Sequence, residues 1–338
     1  MDPTENELKI HQELSKKKVV ITGGEGIDMG DGAPGNQPVV VVVTYNSQRF
    51  IGTCLDSITK GGGQPIVVDS GSTDDTLQII NRHYPFVRLL RTVRNAGYGA
   101  ALNFAVADTT AEILILANAD VIFPPDSISA LRAYLIAHPK VGAVGPQQVF
   151  PDGSWQRSYG TLPGVKGGLL DLSGIGSLHS NFRRLLWPRR VDHHPKSVGY
   201  IDGAIMAVRK AAFESIGGFD EEFFFYGEDA DFCLRLRRLG WKTVFLPTVI
   251  VTHLRGGSSS RIDSMLAAVA KLHVAGKRLF LKKHCPHWQH GICSLLERTH
   301  AQKMGLIHRL IACVCSSTQK EQVLRRVAEF SALSQLWG

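Results

Sequence analysis

The residues of this 338-residue chain best placed to do chemistry are carboxylates at the ends of apolar runs. The run Ile113 to Ala117 leads into Asn118-Ala119-Asp120, and Asp69 closes Pro65-Ile-Val-Val-Asp69. Glu228, Asp229 and Asp231 open an amphipathic segment just after the aromatic run Phe223 to Tyr226. An unbroken apolar run with β-branched members reads as a strand covered on both faces. A carboxylate immediately after it sits at the carboxyl edge of a parallel sheet, where open α/β folds bind ligands. Taken singly, each site has a plainer reading. Asp120 serves equally well as a turn residue, and the 228–231 group as a helix cap that complements the dipole. Together they put four or more carboxylates on one edge, which repel unless a cation or polyhydroxyl ligand intervenes. Oxygen-rich clusters suit Mg2+ or Mn2+, ions that bridge protein carboxylates to substrate phosphates. The set points to a metal-assisted reaction on a phosphorylated substrate.

These positions require strands alternating with helices. Pro38 to Thr44 reads as a fully buried first strand, followed by a cap at Asn46-Ser47-Gln48 and a helix over 49–59 with Ile51, Leu55 and Ile58 inward. A second strand ends at Asp69, and a second helix spans 73–84 with Asp74 and Asp75 in its first turn. A third strand follows at 87–91, then a helix over 99–109, the strand ending at Asn118, a helix over 125–138 and a strand over 141–146. This rhythm predicts βαβ units and a mostly parallel, Rossmann-like sheet flanked by helices. Residues 150–200 lose the rhythm and are expected to form an irregular acceptor-side segment with a short helix near 180–186; Trp155 in it reads either as an acceptor contact or as the closure of a hairpin. Order resumes with a strand over 200–208, a helix over 210–216, a helix over 229–239 and a strand over 242–246. The expected organisation is a Gly-rich tail over 1–37, a catalytic domain over 38–257, and a basic, helical extension over 258–338.

Composition is that of an ordinary globular protein, 44% apolar and 20% charged. Six cysteines form no CxxC pair, which favours reduced thiols in a cytoplasmic setting. Residues 1–18 carry no apolar signal core, and no run reaches the roughly 18 apolar residues that span a bilayer. From Arg255 onward there are 13 Lys/Arg against 4 Asp/Glu, while the rest of the chain is close to neutral. Solvated helices explain that tail, but its basic residues alternate with apolar ones in helical rhythm. An anionic membrane surface at the inner face of the plasma membrane is therefore an expected partner, and nucleic acid is not.

Dinucleotide and P-loop chemistry are disfavoured. Gly97-Tyr98-Gly99 does not follow a first strand as GxGxxG would, and GxxxxGK[ST] and GxSxG are absent. Seven ordered segments carry a more specific signal: 43–47 (Val-Thr-Tyr-Asn-Ser), 68–76 (Val-Asp-Ser-Gly-Ser-Thr-Asp-Asp-Thr), 94–103, 116–120, 203–209, 217–231 and 251–253. Over about 215 residues they resemble the family 2 glycosyltransferases of GT-A fold, in particular the rhamnosyltransferase-like branch.

The resemblance implies specific roles. Thr44, Tyr45 and Asn46 would border the nucleotide, Asp69 would bond its base or ribose, and Arg94, Asn95 and Gly97 would frame the same site. Asp120 would contact the metal at the family's DXD position, where Asn118 departs from the first Asp and brings no charge. His253 would be a further metal ligand, and Asp229, beside Glu228, the general base. The implied reaction moves a sugar, L-rhamnose in this branch, from a dTDP- or UDP-linked donor to a glycan or lipid-diphosphate acceptor with inversion. Two other readings stay open at this level. A nucleotidyltransferase would release pyrophosphate, and a non-catalytic glycan-binding module would not need Asp229.

Overall fold

The computed structural model describes residues 38–92, 95–173, 194–254, 262–314 and 317–337. The expectations for the 1–37 tail, the helix near 180–186 and Arg94 lie outside these residues.

The first unit comprises the described residues up to 160 together with 194–224 and 228–254. Its strands are β1 (Val39–Thr44), β2 (Gln64–Asp69), β3 (Arg88–Arg91), β4 (Ile113–Asn118), β5 (Val121–Ile122), β6 (Val141–Val149), β7 (Tyr159–Gly160), β8 (Lys196–Ser197), β9 (Tyr200–Ile201), β10 (Ile205–Arg209) and β11 (Lys242–His253). Its helices are α1 (Ile51–Lys60), α2 (Thr76–His83), α3 (Tyr98–Ala107) and α4 (Ser127–Ala137). Helices α6 (Lys210–Ser215) and α7 (Glu228–Arg238) complete the first unit, and α5 (Val165–Ser173) lies in the second.

Among the described residues the main sheet runs β3-β2-β1-β4-β10-β6-β11-β5, with β8 beside β11. Strands β3, β2, β1 and β4 are mutually parallel, as are β6 and β11, whereas β10 is reversed against both neighbours. The expected mostly parallel sheet with flanking helices is therefore present. Its core is built by the residues that the apolar runs predict. Val40 and Val42 of β1, Ile115 and Ala117 of β4, and Ile51, Leu55 and Ile58 of α1 lie in one buried cluster. Each such aliphatic side chain contributes about 1.5–3 kcal/mol by leaving water. Strand order turns at β1 and β4, whose first-side neighbour is β2 and second-side neighbour β10. A switch of this kind leaves a crevice outside the strands' carboxyl ends, and Thr44, Asp69 and Asn118 are the terminal residues there.

Three boundaries differ from the sequence reading for physical reasons. Helix α2 starts at Thr76 rather than Thr73, because the preceding loop is committed to other bonds: Asp74 Oδ1 accepts from the Thr76 amide at 3.1 Å and hydroxyl at 2.5 Å. The single strand expected over 200–208 breaks at Asp202-Gly203-Ala204 into β9, paired with β7, and β10 in the main sheet. Strand β11 does not stop at Leu246. Pro247 sits inside a register shift between Leu246 and Ile250, where a missing N–H is tolerated, and the strand continues to His253.

The second unit comprises the described residues of 161–173, 225–227 and 262–337. It contains α5 (Val165–Ser173), α8 (Ile262–His284), α9 (His287–Val314) and α10 (Ser317–Leu336). Lys277 and Glu297 join α8 to α9 through an ion pair at 2.7 Å. Gly276 lies against the carbonyl of Tyr226, so closely that any Cβ there would collide with it. Among the described residues no helix is long and apolar enough to cross a membrane.

Candidate active site

The loops after β1 and β2 form one laced surface at the carboxyl edge. Asn46, in the left-handed region at φ 50°, donates its amide to Ser72 Oγ at 2.9 Å and accepts from the Thr73 amide at 2.8 Å. Gln48 accepts from the Asp75 amide at 3.0 Å. Asp69 is wholly buried, and its carboxylate accepts from the amides of Gly71 at 3.2 Å and Ser72 at 3.1 Å, which shapes the second loop. Tyr45 stands 47% exposed beside this surface. Thr44 is buried, and its hydroxyl has no hydrogen-bond partner among the described residues. A buried, unpaired hydroxyl is costly unless a ligand meets it.

Next to it, Asn95 Oδ1 accepts from the Gly97 amide at 3.0 Å. Gly97 has φ 100°, and a Cβ there would stand 2.6 Å from the Phe224 carbonyl oxygen, the atom to which the Tyr98 amide donates at 3.1 Å. Only glycine permits both the backbone angle and that approach. Phe223 is fully buried core.

Asp120 and His253 meet because β5 pairs antiparallel with the end of β11, placing His253 opposite Val121. Asp120 Oδ1 lies 3.4 Å from His253 Nε2, with side chains 13% and 8% exposed. A carboxylate oxygen and an imidazole nitrogen facing one another are a donor pair that a divalent ion accepts, and Mg2+ or Mn2+ ordinarily takes one or two protein ligands plus phosphate oxygens. The residues present fit such an ion. Asn118 is bound through its backbone, its amide donating to the Ala204 carbonyl at 2.9 Å. Among the described residues no three acidic, His or Cys groups converge on one point. The carboxylates share an edge, but they are held apart in small sets.

The 228–231 group divides by task. Asp231 is fully buried and pairs with Arg235 at 2.6 Å, while that guanidinium also donates to the carbonyls of Ile216 and Gly218, each at 2.8 Å; this is structural. Asp229, partly exposed, accepts from the Ala230 amide at 2.7 Å and the Gly203 amide at 3.3 Å. Burial, and then the Asp202 charge, push its carboxyl up to about 7. Glu228 is buried; desolvation first and the Asp229 charge next raise it well above the usual range, and its Oε2 has no hydrogen-bond partner among the described residues.

Sequence reading passed over the turn that organises this edge. Around Asp202-Gly203-Ala204, the Asp202 amide donates to Ser158 O at 3.0 Å and Tyr98 Oη donates to Gly203 O at 2.7 Å. The Gly203 amide holds Asp229, and Ala204 O receives the Asn118 amide. The Asp-Gly dipeptide was the available signal, since it marks turns even between two apolar runs. Gln147, Gln148 and Gln156 were also missed; all three are buried, and Gln148 and Gln156 reach His253. Trp155 closes a hairpin through its bridge with Val149 and donates to Gln147 Oε1 at 3.0 Å, one of the two readings open for it from the sequence.

Known proteins agree with this architecture. The family model described as Glycosyl transferase family 2 matches residues 39–217, and one described as N-terminal domain of galactosyltransferase matches 193–255. The N-acetylglucosaminyl-diphospho-decaprenol L-rhamnosyltransferase of Mycobacterium tuberculosis is 35% identical over 267 residues, covering 74% of this chain and 86% of that protein. A mannosyltransferase from Pyrobaculum calidifontis, in complex with GDP-Man and Mn2+, superposes with a TM-score of 0.56 at 19% identity, covering 97% of this chain and 92% of the other. GalNAc-T7 with UDP, GalNAc and Mn2+ gives 0.54 at 15% identity, covering 99% and 65%. With its GT-A fold and the extent of these matches, the chain belongs to glycosyl transferase family 2 and is a glycosyltransferase.

Proposed function

We propose that the protein is an inverting transferase that moves L-rhamnose from a dTDP- or UDP-linked donor to a hydroxyl of a lipid-diphosphate-linked glycan acceptor. The observation that carries the mechanism is the state of Asp229, a partly exposed carboxylate held by two amides and tuned to titrate near neutrality. A base poised near the working pH is well matched to proton removal. As the acceptor oxygen bonds to the anomeric carbon, its proton passes to Asp229. The anomeric C–O bond breaks, and its electron pair leaves on the nucleoside diphosphate. Attack opposite the leaving group inverts the centre. Burial and the neighbouring Asp229 charge hold the Glu228 carboxyl well above the usual carboxylate range.

Asp120 and His253 would hold Mg2+ or Mn2+, which when bound offsets charge on the leaving diphosphate. Thr44, Tyr45, Asn46, Asp69, Asn95, Gly97 and Asn118 would border the nucleotide; the unpaired Thr44 hydroxyl supports this. Rhamnose and the lipid diphosphate are suggested by the mycobacterial relative. A membrane surface is the natural place for such an acceptor, and α9 offers a face for it. Trp288, Ile292, Leu295, Leu306 and Leu310 are exposed at helical spacing, with Arg298, Lys303 and Arg309 alongside.

The test is a panel of dTDP-, UDP- and GDP-sugars with a prenyl-diphosphate glycan, scored for released nucleoside diphosphate with Mn2+, Mg2+ or chelator. Metal-dependent release is expected from dTDP-rhamnose, and Asp229→Asn should lower kcat about 10²–10⁴-fold with the fold intact. Pyrophosphate as product, or full turnover by Asp229→Asn, overturns the reading.

A further inference from the structure

His253 has a second ring nitrogen, and what faces it decides what the first one offers. Nδ1 lies 2.9 Å from Gln148 Oε1 and 2.8 Å from Gln156 Oε1. Both amides are oriented by their other ends. Gln156 Nε2 donates to the carbonyl of His253 itself at 3.1 Å, and Gln148 Nε2 donates to Asp202 Oδ1 at 3.4 Å. Only an NH2 group can face those acceptors, so in each case the oxygen faces the ring. A nitrogen met by two acceptor oxygens must carry hydrogen.

The glutamines themselves have little freedom. Gln148 is wholly buried and Gln156 is 2% exposed. The Gln156 amide donates to Gln148 O at 3.0 Å across the hairpin. Gln147 Nε2 donates to the carbonyls of both Gln148 and Gln156, and Ser158 Oγ accepts from the Gln148 amide at 2.7 Å.

We infer that Gln148 and Gln156 are positioning residues that hold His253 with its hydrogen on Nδ1 and turn the Nε2 lone pair toward Asp120. The inference rests on the metal corner proposed above. It explains why three glutamines are buried together here: histidine ligands need their second nitrogen bonded to fix tautomer and ring orientation, and losing that partner commonly weakens metal binding 10–100-fold. Aspartate or glutamate at these positions would serve Nδ1 as well but would add charge beside Asp202; amides supply the acceptor without it.

The experiment reads the tautomer first, in metal-free protein labelled with 15N-histidine, from two-bond 1H–15N couplings at about pH 8.5, above the usual imidazole range. His253 should show hydrogen on Nδ1 and a lone pair on Nε2. In the doubly substituted Gln148→Met, Gln156→Met protein, hydrogen should redistribute toward Nε2. Mn2+ affinity in the presence of UDP, followed by electron paramagnetic resonance, should fall about 10–100-fold. Hydrogen on Nε2 in the unsubstituted protein overturns the inference, as does a folded double variant with unchanged tautomer and affinity. Should the double variant fail to fold by circular dichroism, the unsubstituted spectrum decides alone. Wrong tautomer with intact Mn2+ binding sinks this inference only, whereas a correct tautomer without Mn2+ binding sinks the metal corner on which it rests.

Discussion

Replacing Asp202 by asparagine should move the acid limb of the pH–rate profile downward. Asp229 titrates near 7 instead of its ordinary 3.8, with burial the largest cause and the Asp202 charge the next. The two carboxylates are held by consecutive amides, Asp229 by Gly203 at 3.3 Å and Asp202 by Ala204 at 3.0 Å, and a separation of about 6 Å serves to size their repulsion. At an effective dielectric of about 20, Coulomb's law gives roughly 3 kcal/mol at that range. Since one pKa unit is about 1.4 kcal/mol, that is about two units before screening. Asp229 is partly exposed, so solvent and salt reduce the effect to about one unit. The limb should then fall from about pH 7 to about pH 6. At pH 6 about a tenth of the original base is ionised against about half in the variant, a roughly fivefold gain relative to each protein's plateau. Asparagine keeps the Oδ1 acceptor for the Ala204 amide and for Gln148, so the turn should survive. The assay is kcat/KM for nucleoside diphosphate release from pH 5 to 8.5. The sign on stability follows from the same shift. Asp229 binds its proton more tightly folded than unfolded, so it costs stability as pH rises from about 4 through about 7, and the full cost is present above that. Asp202→Asn should therefore raise Tm more at pH 8 than at pH 4. A limb that stays put or moves upward refutes the reasoning.

Two further outcomes separate the remaining assignments. Asp120→Ala removes the only charged member of the Asn118-Ala119-Asp120 segment and should cost at least about 10²-fold in kcat. Asn118→Ala keeps the backbone bond to Ala204 and should cost less than about tenfold; equal losses would show that the asymmetry is not functional. On α9, Leu295 and Leu310 are 64% and 62% exposed, so Leu295→Glu with Leu310→Glu should fold normally. Cosedimentation of that variant with anionic vesicles should drop at least about tenfold, because both apolar contacts are lost and two like charges are added. Retention equal to the starting protein removes α9 from membrane contact.

What the sequence could reveal follows a physical division. Strand β1 and helix α1 were legible because Val40, Val42, Ile51, Leu55 and Ile58 face one core, and periodicity reports that face directly. Strand β4 and the Asp120 that follows its end were legible for the same reason. The reversed β10 was not, because direction within a sheet is set by pairing with β4 and β6, and an apolar run reads alike in either direction. Nor was the length of β11: Pro247 is an honest stop signal, overridden because it falls at a register shift. Gln148 and Gln156 were invisible for a different reason. Nothing in a single glutamine marks it as buried, and their partner His253 lies 105 and 97 positions away along the chain.

The carboxylates show how one electrostatic problem is met in several ways along a single sheet edge. Several acids at one sheet edge do repel, and a cation or a polyhydroxyl ligand was the expected relief. The chain relieves the repulsion separately at each acid. Asp69 is bonded by the amides of its own loop, and Asp231 is neutralised by Arg235. Glu228 and Asp229 hold their protons to higher pH, and Asp120 faces His253. Among the described residues, the corner of Asp120 and His253 is where the proposed cation would bind. The asymmetry of Asn118-Ala119-Asp120 fits this division: a second aspartate at 118 would add charge to the edge that Asp120 already occupies, where an asparagine adds none.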